Sequence, residues 1–188
     1  MPDGANHVAF AYSADGKDRF TTVYPNLNLL DGTTKTAKTA NIYENDDASI
    51  AYWDTKQLSG KTITGSVYLD LTKSNDDVWL QLYTEDGTLS GNVVKAGQKG
   101  YSRFSGKVPT ITDDNSNIAF RRREKDNNTT TFDYSELKVE EGSIATPWMP
   151  SFSEATVEDY PSYMGSYTDN KSTEQSTNPD RYKWEKIG

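Results

Sequence analysis

The sequence predicts an all-β protein, a sandwich of short strands. Three observations carry this. Runs at 66–72, 78–83 and 117–123 alternate apolar and polar residues with period two, and turn signals separate them at short intervals. No apolar pattern with i, i+3, i+4, i+7 spacing persists beyond two turns, as a helix would require. Many short strands punctuated by turns are the pattern of a sandwich.

In chain order, Val8, Phe10 and Tyr12 alternate over a short strand, and Ala14-Asp15-Gly16 reads as a turn. Leu27, Leu29 and Leu30 form the first aliphatic cluster and read as the first strand of the main domain, ended by the Asp31-Gly32 turn. Residues 47–54 read as a strand with Ile50 and Tyr52 on one side, Ala51 and Trp53 on the other. In 66–72, Val67, Leu69 and Leu71 point one way, Tyr68 and Asp70 the other. In 78–83, Val78, Leu80 and Leu82 oppose Trp79, Gln81 and Tyr83, and Glu85-Asp86-Gly87 turns a hairpin. Residues 90–107 read as a connection punctuated by Gly91, Gly97, Gly100 and Gly106. In 117–123, Ile118 and Phe120 oppose Ala119, Arg121 and Arg123. A turn at 125–128 leads to a strand at 129–134, and 136–141 reads as a separate last strand.

After Pro150 the texture changes. Residues 151–188 are rich in Ser, Thr, Asn, Asp and Tyr, with aromatic pieces at 160–163, 165–167 and 182–184. So few aliphatic residues cannot build a core alone. Both ends of the chain carry an aromatic-small-aromatic strand followed by a polar loop, so they read as pairing with each other or as a small second unit that the sandwich interrupts. The expected division is a connector strand at 1–23, the sandwich at 24–150 and a Tyr/Ser/Thr-rich segment at 151–188.

Composition narrows function. Among the 188 residues there is no cysteine and one histidine, His7, which leaves no disulfide framework and nearly excludes a Ser/His/Asp triad or a multi-histidine metal site. The formal charge of -8 argues against general nucleic-acid binding; Arg121-Arg122-Arg123 is the only dense basic cluster. No apolar run approaches a membrane span, and the first ten residues lack the basic start and apolar stretch of a secretory leader. These features predict a soluble protein that is cytosolic, exported without a cleaved leader, or assembled into a virus particle.

Three segments, AYSADGKDRFTTVYPNLNLLDGT, SELKVEEGSIATPWMPS and YMGSYTDNKSTEQSTNPDRYKW, resemble tail and baseplate proteins of phages that infect Gram-positive bacteria such as lactococci and streptococci. In that family a segment of the form NLL-DGT opens a carbohydrate-binding module and LKxEEGxxATxWxPS closes it; here Leu137, Glu140, Glu141, Gly142, Ala145, Thr146, Pro147 and Trp148 stand at matching places. The nearest type is the accessory baseplate protein. The resemblance implies a jelly-roll β-sandwich, a place in the virion at the tail tip or baseplate, contact with other tail proteins, and non-catalytic binding of host cell-surface polysaccharide with no nucleic-acid partner and no membrane insertion. It does not choose the sugar-contacting residues.

Those must come from the side chains. Sugars stack their C–H faces on aromatic rings, and planar polar groups bond their hydroxyls. If the aliphatic faces share one core, the opposite faces present Trp79, Tyr83 and Tyr68 as platforms, with Gln81, Asp70, Arg121 and Arg123 as hydrogen-bonding groups. An arginine pair also suits phosphate on a cell-wall polysaccharide. The competing reading makes Trp79 and Tyr83 a second core layer beneath a terminal segment. Trp53 is a further platform candidate, or an edge residue covering the core. Trp148 reads as a structural plug, and Trp184 as packed within the terminal segment. Jelly-roll sugar modules often carry a structural calcium; Asp31 and Glu140 are candidate ligands, with solvated charge as the alternative. A structural spacer of a tail fibre and a glycan-degrading enzyme with two carboxylates across a groove are the other function classes.

Overall fold

The computed structural model describes residues 4–43, 48–49, 55–123 and 128–187. Among the described residues eight strands form two four-stranded antiparallel sheets: β2 (Lys38–Tyr43), β3 (Ala48–Ser49), β4 (Thr62–Asp70), β5 (Val78–Thr84), β6 (Gly87–Ser90), β7 (Lys99–Lys107), β8 (Asn117–Arg122) and β9 (Thr129–Glu141). One sheet has the order β2-β9-β4-β7, the other β3-β8-β5-β6. The chain is an all-β jelly-roll sandwich.

The alternation read from the sequence is what packs it. Val67, Leu69 and Leu71 from one sheet meet Val78, Leu80, Leu82, Ile118 and Phe120 from the other, all fully buried. Burial of each such side chain stabilises by about 1.5–3 kcal/mol. Phe120 of β8 meets Phe132 of β9 edge-to-face at 5.1 Å, bridging the two layers.

Three expectations need correction. Leu27, Leu29 and Leu30 form no ladder strand; Leu30 enters the core, while Asn28 makes an isolated parallel bridge to Ser151. The glycine-punctuated stretch contains a full nine-residue strand, β7, paired along its length with β4. Its inward residues include Gly100 and Ser102 beside Phe104, so its apolar face is too thin to signal a strand. Gly65 completes that fit: a Cβ there would overlap the Phe104 ring. Residues 129–141 are one strand, with a register irregularity opposite 66–68. Glu136 lies in the left-handed region (φ 58°), and the added residue switches the buried set from Phe132 to Leu137 and Val139. That change of parity is what makes the sequence read as two strands.

The chain's two ends pair in a third sheet. β1 (Ala5–Ala11) runs antiparallel to β10 (Tyr163–Asp169), which pairs with β11 (Lys183–Lys186). Rings replace aliphatics here: His7 stacks on Tyr167 at 4.5 Å, Tyr167 meets Tyr182 at 4.8 Å, and Tyr182 meets Trp184 at 5.7 Å. Gly16, at φ 76°, sits against the Trp184 indole where a Cβ would not fit. Trp184 thus packs in the terminal sheet, as its sequence context suggests.

The connections to the sandwich run side by side. The Asn28 backbone N–H donates to Pro150 O (3.1 Å). The Asn28 side chain accepts from Leu30 N and Val139 N (3.0 Å each) and donates to Leu137 O (2.8 Å).

Candidate functional site

The predicted site residues do not share one face. Trp79, Gln81 and Tyr83 on β5 and Arg121 on β8 lie on the outer side of the β3-β8-β5-β6 sheet, with Trp79 opposite Arg121 and Gln81 opposite Ala119. Tyr68 and Asp70, on β4, belong to the outer side of the other sheet. The assumption of a single outer face is therefore corrected. Period two decides which residues leave the core but not which sheet carries them, and the chain crosses the sandwich between β4 and β5.

The first of these faces is largely closed at its centre. Gln81 is 6% exposed and Ala119 is 0% exposed, although both point away from the core. Gln81 therefore presents little of its surface to solvent. Trp79 is half-buried and Tyr83 is exposed. Arg123 holds the end of β8: its Nε donates to Asp77 Oδ2 (2.9 Å) and its backbone N–H to Asp77 O (3.1 Å). Asp70 caps a turn, accepting from Thr72 N (3.1 Å) and Thr72 Oγ1 (2.7 Å), bonds that hold its carboxyl below the usual range. Trp53 lies outside the described residues.

The outer side of the β2-β9-β4-β7 sheet is exposed at Tyr101 and Arg103. Tyr101 and Arg103 project from β7, Ser66 and Tyr68 from β4, and the backbone irregularity aims Glu136 outward from β9. Tyr68 and Tyr101 meet at 5.0 Å and 67°, and the Arg103 guanidinium carbon lies 4.1 Å from the Tyr101 ring centre. Arg103 Nε donates to Ser66 Oγ (3.0 Å), and the Tyr101 hydroxyl donates to Glu136 Oε1 (3.0 Å). Burial, reinforced by the Glu136 charge and this bond, pushes the Tyr101 phenol up to about 12. A cavity of about 230 Å³ opens over Tyr101, Arg103 and Glu136, walled by Pro147 and Trp148 on one side and Arg19 and Phe20 of the terminal unit on the other. Trp148 Nε1 donates to Leu137 O (3.2 Å) and Thr33 Oγ1 (3.1 Å), so the ring is fixed where it closes the module and also forms a wall.

Sequence reasoning missed Tyr101, Arg103, Glu136 and Phe20. The signal for the first two was present: 99–107 alternates Lys, Tyr, Arg and Ser against Gly, Ser, Phe and Gly. Phe20 could not be found this way, because only tertiary folding brings the terminal unit to the sheet.

Beneath the cleft, Lys138 and Glu140 form a buried ion pair (3.4 Å). Lys138 Nζ also donates to Thr146 Oγ1 and Pro147 O (2.8 Å each), and Asn26 Nδ2 donates to Glu140 Oε1 (3.1 Å). Burial pushes the Lys138 ammonium down to about 8 despite the neighbouring carboxylate. Glu140 is thus committed to an internal network and is not the solvated charge of the alternative reading. Asp31 Oδ1 accepts from Ser153 Oγ at 3.4 Å. Among the described residues no group of three or more acidic, histidine or cysteine side chains could hold a metal ion.

The fold is a jelly roll mounted on a small sheet of terminal strands. No family model and no curated protein sequence matches the chain. Among solved structures, it is similar to the tripod (BppUct-A-L) from the baseplate of bacteriophage Tuc2009, with 26% identity and a TM-score of 0.74, covering 100% of this chain and 80% of that one. The resemblance to phage baseplate proteins is borne out by this full-length match. A xylanase 10B fragment of Clostridium thermocellum, comprising CBM22-1 and GH10 modules complexed with xylohexaose, overlaps 75% of this chain and 29% of that chain, at 14% identity and a TM-score of 0.37. That overlap is too loose to carry an argument.

Proposed function

We propose that the protein is a non-catalytic module of a phage tail or baseplate that binds host cell-wall saccharide. Residues 24–150 would form the binding module, and 1–23 with 151–188 the mount that joins it to other baseplate proteins on the virion. The carrying observation is the cleft. Tyr101, with Tyr68 packed against it, offers a ring, Arg103 and Glu136 offer planar polar groups, and internal contacts fix the Tyr101, Arg103 and Glu136 side chains before any ligand arrives. Such preorganisation lowers the ordering cost of binding. One carboxylate, Glu136, lines the cleft among the described residues, whereas glycoside hydrolysis by the common route needs two. Weak single-site affinity becomes firm attachment when many copies act together. The full-length similarity to a baseplate tripod chain supports both the location and the association with other baseplate proteins. The exposed Phe152 and Val157, beside the connections to the terminal unit, are suited to that association.

The test is pull-down of the full chain on intact Gram-positive cells and on their extracted cell-wall polysaccharide, with Tyr101→Ala and Trp79→Ala compared in parallel. Tyr101→Ala is expected to weaken binding about tenfold or more, a loss of roughly 1.4 kcal/mol, while Trp79→Ala retains it. The reverse pattern would move the site to the β3-β8-β5-β6 sheet. No binding to any strain of a broad panel would favour a structural spacer.

A further inference from the structure

A second cavity, of about 510 Å³, lies on the terminal unit and is lined by Tyr12, Arg19, Tyr24, Glu158, Tyr160 and Ser162 among others. This volume falls within the usual range of small-ligand sites. Its aromatic wall is held in place: Tyr24 meets Phe10 edge-to-face at 4.9 Å and lies nearly parallel to Tyr160 at 6.2 Å, and the Tyr12 hydroxyl donates to Asp159 O at 2.8 Å. The wall is accessible, with Tyr24 43% exposed and Glu158 exposed. Rings, phenols and a carboxylate on one concave surface match the alternating C–H and hydroxyl chemistry of a sugar.

Arg19 connects the two cavities, lining both. Its guanidinium carbon stands 3.7 Å from the Tyr12 ring centre, and Nε and Nη2 donate to Asp18 (3.0 Å each). Its backbone is left-handed, at φ 51°, a conformation costly for a long side chain and concentrated at functional positions. The strained residue therefore sits where the two cavities meet.

We infer that the 510 Å³ cavity is a second saccharide subsite, joined to the cleft across Arg19, so that the protein takes an oligosaccharide chain reaching from the sandwich onto the terminal unit. This rests on the cleft reading and extends it: the ligand is a polymer segment, and the mount contributes to recognition.

The experiment measures affinity of the full chain for fluorescently labelled fragments of extracted cell-wall polysaccharide, size-fractionated into a ladder. Wild type is expected to bind longer fragments about tenfold or more tightly than the shortest. Tyr160→Ala should remove that gain and leave the shortest fragments unaffected, while Tyr160→Phe keeps it. Arg19→Gly, which suits the left-handed backbone, should flatten the ladder without loss of folding by circular dichroism. If Tyr101→Ala weakens every length while Tyr160→Ala leaves the ladder unchanged, the second subsite is refuted and the cleft stands. If Tyr101→Ala changes nothing at any length, the cleft reading fails, and with it the proposed track.

Discussion

Three adjacent arginines give a sharp test of how this sandwich is held together. Arg122 faces inward between Arg121 and Arg123, its side chain 1% exposed beside Asp76 at 3%, with Nε to Oδ2 at 2.8 Å. Its Nη1 also donates to Asn128 O (2.6 Å), tying the start of β9 to the end of β8 and to the β4–β5 loop. Arg122→Ala would strand the Asp76 carboxylate in the interior. Removing one partner of a buried pair costs about 3–5 kcal/mol. For a chain of this size each kcal/mol lowers Tm by about 2–4 °C, so the expected drop is roughly 6–20 °C. Arg123→Ala removes a pair whose arginine is half exposed, 52% against 17% for Asp77, and should cost about 0.2–1 kcal/mol. Urea unfolding followed by tryptophan fluorescence separates the two variants. In an Arg122→Met/Asp76→Asn double variant, part of the loss should return, because no unpaired charge remains. Equal costs for Arg122→Ala and Arg123→Ala, or a cost below about 1 kcal/mol for the former, would refute the reasoning.

Two further predictions follow from packing and charge. Gly65→Ala forces a methyl into the Phe104 ring and should destabilise by about 1–3 kcal/mol, measured as a lower urea midpoint with unchanged slope. Tyr101 and Tyr12 are both pushed up to about 12 by burial, and burial also raises Tyr24, Tyr134 and Tyr182, so a spectrophotometric titration should show a group of late-ionising phenols that Tyr101→Phe reduces by one. Because the folded values exceed the unfolded one near 10, these groups hold their proton more tightly when folded, and stability is expected to fall as pH rises from about 10 to 12.

The sandwich was legible where strands carry dense alternating aliphatics, as in 66–72 and 78–83. It was hidden in β7, where glycine and serine occupy inward positions beside Phe104, and in β9, where Glu136 reverses the parity in mid-strand. The candidate site was less legible for a different reason. Alternation marks Tyr68 and Trp79 equally as leaving the core, but sheet order is a non-local property, and it puts them on opposite sides of the molecule. The pairing of the chain's ends was readable from their shared aromatic style, whereas the approach of Phe20 and Arg19 to the β7 face was not, since no local pattern encodes it.

The adjacent crossings at Asn28 and Ser151 have a thermodynamic consequence for a chain without cysteine. While the β1-β10-β11 sheet stays formed, an unfolded sandwich is a closed loop of roughly 120 residues rather than a free chain, and closing a loop near that length with a covalent link removes about 4–5 kcal/mol of denatured-state entropy at 25 °C. The small aromatic sheet can therefore act as a non-covalent clasp, providing by ring packing the topological restraint that many exported domains obtain from a disulfide. Its effect lasts only as long as the clasp holds, so loosening the terminal sheet would lower the stability of a sandwich whose own contacts had not changed.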